Sequence, residues 1–325
     1  MTTAVELPNQ LSFPEPGTPE FDEAINLARQ GILRFGAADD GWLDWDLNTI
    51  PHGLLGGRCG TGKSVALHLV LFYAAYLPDL YEVIVCDPHY IEFTWATDLP
   101  NVQIATSDTE IVESIAQARR SMDDRQRLLN ELQIQKLQLA RDQYLTAADL
   151  AQEHRPVPKR MILLFDGVDH FFDAGANITP EGLKATARAD LEAIVRLGRA
   201  LEMSIVAGAQ RADAKAFPPE LRTQLGFRLG FGPLDPYESV QILDSTRFSD
   251  ARLPKGRAWA YDAHNGYRKT QVFFLPADSM ACPWDPNVVL SGASQLIRDR
   301  LAALGYSATA VANDDGHTVQ RWRRQ

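Results

Sequence analysis

The sequence predicts an α/β fold built on a mostly parallel central sheet, and three observations carry that expectation. The segment Gly57-Arg58-Cys59-Gly60-Thr61-Gly62-Lys63-Ser64 fits the pattern G-x-x-x-x-G-K-[ST] at every fixed position. An apolar run at residues 50–55 precedes it and an apolar helical pattern at 64–72 follows, which is the strand–loop–helix order the pattern needs. Further on, apolar runs ending in a polar residue alternate with helical stretches, as expected of strands buried on both faces.

The spacing of the glycine-rich segment has a chemical reason. Glycines let the backbone curl so that successive N–H groups point at a phosphate, and the helix that follows aims its positive end at the same anion. Residues 57–64 are therefore expected to cradle ATP. Lys63 would place its charge on the β/γ-phosphates and the Ser64 hydroxyl would ligate Mg²⁺.

The 325 residues suffice for one large or two modest domains. Hydrophobic residues make up 45% and charged residues 23%, as in ordinary globular proteins. A net charge of −10 argues against non-specific coating of nucleic acid by the whole surface. No apolar run approaches the ~20 residues needed to span a bilayer, so no membrane anchor is expected and the location expected is cytoplasmic. Three scattered cysteines, Cys59, Cys86 and Cys282, make neither a disulfide framework nor a metal site.

In chain order, residues 1–20 carry four prolines and read as a flexible or extended leader. Residues 21–35 show helical spacing, and 41–47 read as a strand or hairpin whose paired tryptophans serve packing. Residues 81–86 form a strand ending in Asp87-Pro88-His89, on the ligand edge of an open sheet. A long helical stretch over 110–154, read as a packed pair of helices, is expected to break near Tyr144-Leu145-Thr146. Residues 160–166 are the second decisive segment: an apolar strand ending in Asp166 delivers a carboxylate to the Mg²⁺ shell opposite Ser64. A helix over 187–203, a strand over 204–209 ending at Gln210, a strand over 226–231, a helix over 235–244 and two strands around His264-Asn265-Gly266 follow. The tail, 294–325, reads as three short helices, the last carrying Arg321, Arg323 and Arg324. Such an arrangement suits a helix-turn-helix that reads DNA, or a cap on the rest of the chain. The expected organisation is a leader with an N-terminal helix (1–40), a nucleotide-binding domain (41–285) and a small α-helical C-terminal module (286–325).

These residues together resemble the FtsK/SpoIIIE-type DNA-translocating ATPases, a RecA-like, HerA-related class of P-loop NTPases, over roughly residues 36–261. Asp46-Leu47 followed by Ile50-Pro51-His52 and the phosphate loop is similar to the family's entry segment. Asp87-Pro88-His89 resembles its Asp-Pro-Lys, Thr106-Ser107-Asp108 its following Thr-Asp, and Ser121-Met122-Asp123-Asp124-Arg125 its Glu-Met-x-x-Arg helix. Arg196-Leu197-Gly198-Arg199-Ala200 looks like RLGRA, Gln210-Arg211 like the end of TQR, and residues 238–244 like the late DS…ILD stretch.

The resemblance implies an ATP-hydrolysing motor on double-stranded DNA, working as a homo-oligomeric hexameric ring. Each site would be completed by a neighbour's arginine, a role carried onto Arg125 with Arg199 as the second choice; Gln210 joins the catalytic group. One departure stands out. The family has Glu directly after the metal-site Asp, where it polarises the attacking water; here the position is Gly167, and Asp169 is the nearest carboxylate in sequence that would substitute. Two other readings stay open: a nucleotide-binding scaffold with little turnover, and a protein-handling ATPase of the secretion type.

Overall fold

A computed structural model describes residues 6–90, 92–144, 157–168, 171, 181–210, 219–249, 253–312 and 318–324. Ten strands form its central sheet: β1 (Ile32–Ala38), β2 (Gly41–Asp46), β3 (Gly53–Gly57), β4 (Tyr81–Cys86), β5 (Val102–Ala105), β6 (Arg160–Asp166), β7 (Met203–Ala209), β8 (Phe227–Phe231), β9 (Arg257–Asp262) and β10 (Gly266–Val272). Their order is β2-β1-β10-β9-β8-β3-β7-β6-β4-β5. From β8 to β5 every neighbouring pair is parallel. The other four strands continue the sheet antiparallel. Two hairpins lie outside it: β11 (Met280–Cys282) with β12 (Asp285–Leu290), and β13 (Tyr306–Ala312) with β14 (Thr318–Arg324).

The parallel strands are apolar at consecutive positions because both faces are covered. Their side chains alternate between two cores, one on each side of the sheet. Leu55, Val83, Val85, Ile162 and Leu164 enter one core, with helices α1 (Pro19–Arg29), α2 (Lys63–Tyr76) and α8 (Ala293–Ala303). Leu54, Ile84, Cys86, Met161, Leu163 and Phe165 enter the other, with α3 (Asp108–Leu132), α4 (Leu137–Tyr144), α5 (Glu181–Leu201), α6 (Pro219–Gln224) and α7 (Pro236–Leu243). Helix α2 is apolar nearly all round because it lies between the sheet and α1 and α8.

The structure bears out the strand–loop–helix around residues 57–64, the strands ending in Asp87, Asp166 and Gln210, and the final hairpin around residue 264. The tryptophan on β2 that points inward does pack: Trp45 stacks on Phe227 at 4.5 Å and donates to the Ile50 carbonyl. The leader is extended and anchored by Phe13, which is buried among Phe21, Phe72, Tyr73 and Phe273.

Three expectations are corrected. The helix over 21–35 ends at Arg29, because Gly31 takes a φ of 85° and turns the chain, and Ile32–Ala38 becomes a sheet strand. The long helical stretch divides into the pair α3 and α4 at Gln133, in the left-handed region, a break earlier than the expected one, and α4 ends at Tyr144; residues 145–154 lie outside the described residues. In the tail, α8 is the first expected helix, but the second and third are the strands β13 and β14. The two segments carry Tyr306, Thr309, Val311, Thr318, Val319 and Trp322, residue types that favour a pleated surface. Among the described residues of the tail, 306–312 and 318–324 are strands and cannot supply the second and third helices of a helix-turn-helix.

Candidate nucleotide-binding site

Parallel pairing brings four strand ends to one edge of the sheet. Gly56 is level with Ala209, Asp166 with Gly208, and Cys86 with Phe165. The loop that leaves β3 therefore enters α2 beside Asp87, Asp166 and Gln210. A cleft of about 530 Å³ lies there, lined by the loop together with Lys63, Ser64, Asp87, Glu92, Asp166 and Gln210. Lys63 and Asp166 are both buried and form an ion pair, Nζ to Oδ1. Cation and carboxylate thus share the floor of the cleft. The Ser64 hydroxyl and the Asp166 carboxylate are hard oxygen donors, the kind Mg²⁺ takes together with phosphate oxygens, and they fit that ion.

The loop is held from outside the cleft. The Arg58 guanidinium donates to both carboxylate oxygens of Glu238, at 3.2 and 3.1 Å, fixing the loop to the start of α7. The Thr61 hydroxyl donates to the Arg58 carbonyl at 2.7 Å and closes the turn.

A second device shapes the segment after β4. The buried Asp87 carboxylate accepts from the backbone N–H groups of His89, Tyr90 and Glu92 at 3.1, 3.0 and 3.3 Å. His68 on α2 donates through Nε2 to the Glu92 carbonyl at 2.9 Å. Burial lowers the His68 pKa and so favours the neutral ring that this single donation needs. Burial, followed by the Asp166 charge, pushes the pKa of the Glu92 carboxyl up.

At the residue after Asp166 the backbone has its own requirement. Gly167 has a φ of 77°, in the left-handed region, and its N–H donates to the Gly208 carbonyl at 3.0 Å. A side chain there is strained, so this turn accommodates glycine and disfavours the glutamate that the resemblance leads one to expect. Asp169 lies outside the described residues. Beside the polar cleft, and sharing Gly62, Val65 and Lys255 with it, is a second cleft of about 510 Å³ lined by Leu11, Pro254, Phe274, Met280 and Trp284.

A comparison with known families matches residues 30–225, more than half of the chain, to the FtsK/SpoIIIE family. The chain belongs to that family. Among its curated relatives, the DNA translocase FtsK of Helicobacter pylori is 24% identical over 204 residues, covering 62% of this chain and 22% of the relative. The one from Chlamydia muridarum is 23% identical over 255 residues, covering 74% and 30%. The chain therefore spans less than a third of the length of these relatives. Among solved structures, the pCW3 conjugation coupling protein TcpA, in a monomer form with ATPγS, superposes with a TM-score of 0.71 at 21% identity, over 83% of this chain and 71% of that one. The cytoplasmic domain of the Thermomonospora curvata type VII secretion ATPase EccC superposes at 0.65 and 19% identity, over 90% and 32%. The fold is the RecA-like P-loop ATPase fold.

Within this FtsK/SpoIIIE chain, the two expected arginines separate. Arg125 is corrected: it is only 2% exposed, donating to the carbonyls of Leu201 and Lys159 and to Glu82 at 3.0, 2.7 and 2.8 Å. A side chain so occupied does not reach a neighbour. Arg199 is exposed on the last turn of α5. Both lie at the end of the sheet opposite the phosphate loop. Of the tail arginines, Arg324 pairs with Asp79, and Arg321 and Arg323 are exposed.

Two motifs that looked separate in sequence meet in space. His52, just before β3, accepts at Nδ1 from the Ile205 N–H and donates from Nε2 to the Val195 carbonyl, at 3.0 and 3.1 Å. It ties β3, β7 and α5 together. A Cβ on Gly198 would sit 2.4 Å from the Met203 carbonyl oxygen and 2.8 Å from the His52 ring, so the glycine of RLGRA is what lets the histidine in. Sequence reading missed Glu92 altogether. Its only signal was a carboxylate five residues beyond Asp87, in a loop with no strand or helix pattern to aim it.

Proposed function

We propose that this chain is an ATP-hydrolysing motor that binds ATP with Mg²⁺ and moves double-stranded DNA as a ring oligomer. The observation that carries the reading is the polar cleft in which Lys63, Ser64, Asp166 and Gln210 converge on the phosphate loop. The phosphates occupy that cleft and the base takes the adjoining apolar one, since the two share the loop's last turn. Lys63 neutralises the β/γ-phosphates, and Ser64 and Asp166 hold Mg²⁺, which draws charge from the phosphate oxygens when bound. Gln210, at the end of β7, senses the γ-phosphate. Arg199, exposed and free to meet another copy, is the residue left to complete a neighbour's site. Family membership and the exposed arginines of β14 support duplex DNA as the substrate, gripped by its backbone without reading sequence.

The test is the ATPase rate of the full chain alone, with duplex DNA, and with candidate protein substrates, beside Lys63→Ala. We expect stimulation by duplex only, and a fall of about 10²–10³-fold in the variant, the scale of losing one charge-stabilising donor. Stimulation by protein instead of DNA would make this a secretion-type ATPase. Nucleotide binding without turnover would make it a scaffold.

A further inference from the structure

The chain lacks a glutamate after Asp166, and the left-handed turn at Gly167 keeps it out. The same edge of the sheet supplies another carboxylate. Glu92 is held at two points. Its N–H donates to Asp87 Oδ2 at 3.3 Å and its carbonyl accepts from His68 Nε2 at 2.9 Å. The next residue, Phe93, is fully buried and packs edge-on against the His68 ring at 5.1 Å. The backbone is thereby held while the side chain, 42% exposed, lines the cleft together with Lys63, Asp166 and Gln210. The strand order places β4 directly beside β6, so Glu92 reaches the cleft from the loop that follows the strand next to the one ending in Asp166.

We propose that Glu92 is the catalytic carboxylate of this chain, taking the part that a glutamate after Asp166 plays in relatives. The inference rests on the nucleotide reading given above. In the step, the oxygen of a water forms a bond to the γ-phosphorus while the bond from phosphorus to the β,γ-bridging oxygen breaks. That electron pair leaves with ADP, and the water's proton passes to the Glu92 carboxylate. Asp87 and His68 act as positioning residues, because each holds the Glu92 backbone.

The experiment compares the full chain with Glu92→Gln and Glu92→Ala. It measures the affinity for a fluorescent ATP analogue with Mg²⁺, kcat and KM, and the identity of the bound nucleotide after a single turnover. Thermal melting checks that each variant folds. We expect analogue affinity and KM within about threefold of wild type, kcat lower by about 10²–10⁴-fold, and ATP retained on the variants where the wild type holds ADP. If the variants convert bound ATP at the wild-type rate, or lose analogue affinity in proportion to rate, Glu92 is not the catalytic carboxylate and the nucleotide reading stands. If the wild type binds the analogue but never hydrolyses ATP, the inference falls and the scaffold reading replaces the motor. If the wild type does not bind Mg²⁺–ATP at all, the nucleotide reading itself falls.

Discussion

The two ends of the parallel strands both bury charge, and they use it differently. At the amino-terminal ends, Glu202 takes Arg141 Nη2 at 2.6 Å and Arg160 Nη2 at 3.0 Å, while Arg125 holds Glu82 and two carbonyls. Arg125, Arg141, Arg160 and Glu202 are enclosed by protein partners, whereas the Glu82 side chain is 41% exposed and lines, with Arg125, a surface pocket of about 480 Å³. At the carboxy-terminal ends, Lys63 and Asp166 pair on the floor of an open cleft, with Glu92 and Gln210 on its walls. Buried charge is therefore no sign of function by itself, even with a pocket beside it; what marks the candidate site is buried charge that shares its cleft with the phosphate loop. The closed end holds strands and helices in register, and the open end uses the alignment that results.

The largest expected effect breaks the closed end. Arg125→Ala strips the carbonyls of Leu201 and Lys159 of a charged donor and leaves Glu82 without its guanidinium. We expect a loss of about 2–4 kcal/mol, with the half-exposed Glu82 contributing little because water takes over. Nucleotide affinity of the folded fraction should stay within twofold. A urea midpoint equal to wild type, together with loss of turnover in oligomers mixed with wild type, would return Arg125 to the role of a neighbour-facing arginine.

His52 sharpens the comparison by pH. Burial lowers its pKa from 6.5 to about 4. The unfolded chain then binds the extra proton between those values, so stability is full above pH 6.5 and falls as pH drops toward 4. By pH 5 the loss from this one group is about 2 kcal/mol. Urea midpoints measured from pH 7.5 to 5 should show it. A His52→Gln variant, less stable throughout, should lack that part of the slope; an unchanged slope would mean other groups set the acid limit.

The open end was far more legible in the sequence than the closed one. Residues 57–64 and Asp166 follow a spacing dictated by phosphate and metal chemistry, so their meaning survives without coordinates. The closed end depends on contacts across 76 positions, as between Arg125 and Leu201, or 153, as between His52 and Ile205, which no local pattern records. That is why Arg125 read as available when it is enclosed. Glu92 was missed for the same reason in reverse: a turn built by Asp87 and His68 aims it, and neither announces the aim. The tail misled for a different reason. Short segments of mixed Ala, Thr, Val and Arg satisfy helical and strand spacing alike, and pairing between Tyr306–Ala312 and Thr318–Arg324 decides the matter.

The smallest expected effect concerns charge that neither end encloses. On β14 successive residues point to opposite faces. Trp322 turns toward the core and donates from Nε1 to Asp98 at 3.2 Å, where Arg298 also binds, so Arg321 and Arg323 share the other, exposed face. Arg324 lies on the Trp322 side, paired with Asp79 and near the Tyr306 ring. If the motor holds duplex through this hairpin, Arg321→Ser with Arg323→Ser should shift stability by less than about 0.5 kcal/mol, as exposed changes do. The same double variant should make the logarithmic salt dependence of duplex binding shallower by about 1.8, near 0.9 for each phosphate contact given up. Arg324→Ser should change that slope less, because its charge is already met within the chain. A salt titration distinguishes the cases. A slope that all three substitutions leave unchanged would assign the hairpin to covering α8 and place the grip on DNA at the faces of the sheet domain instead.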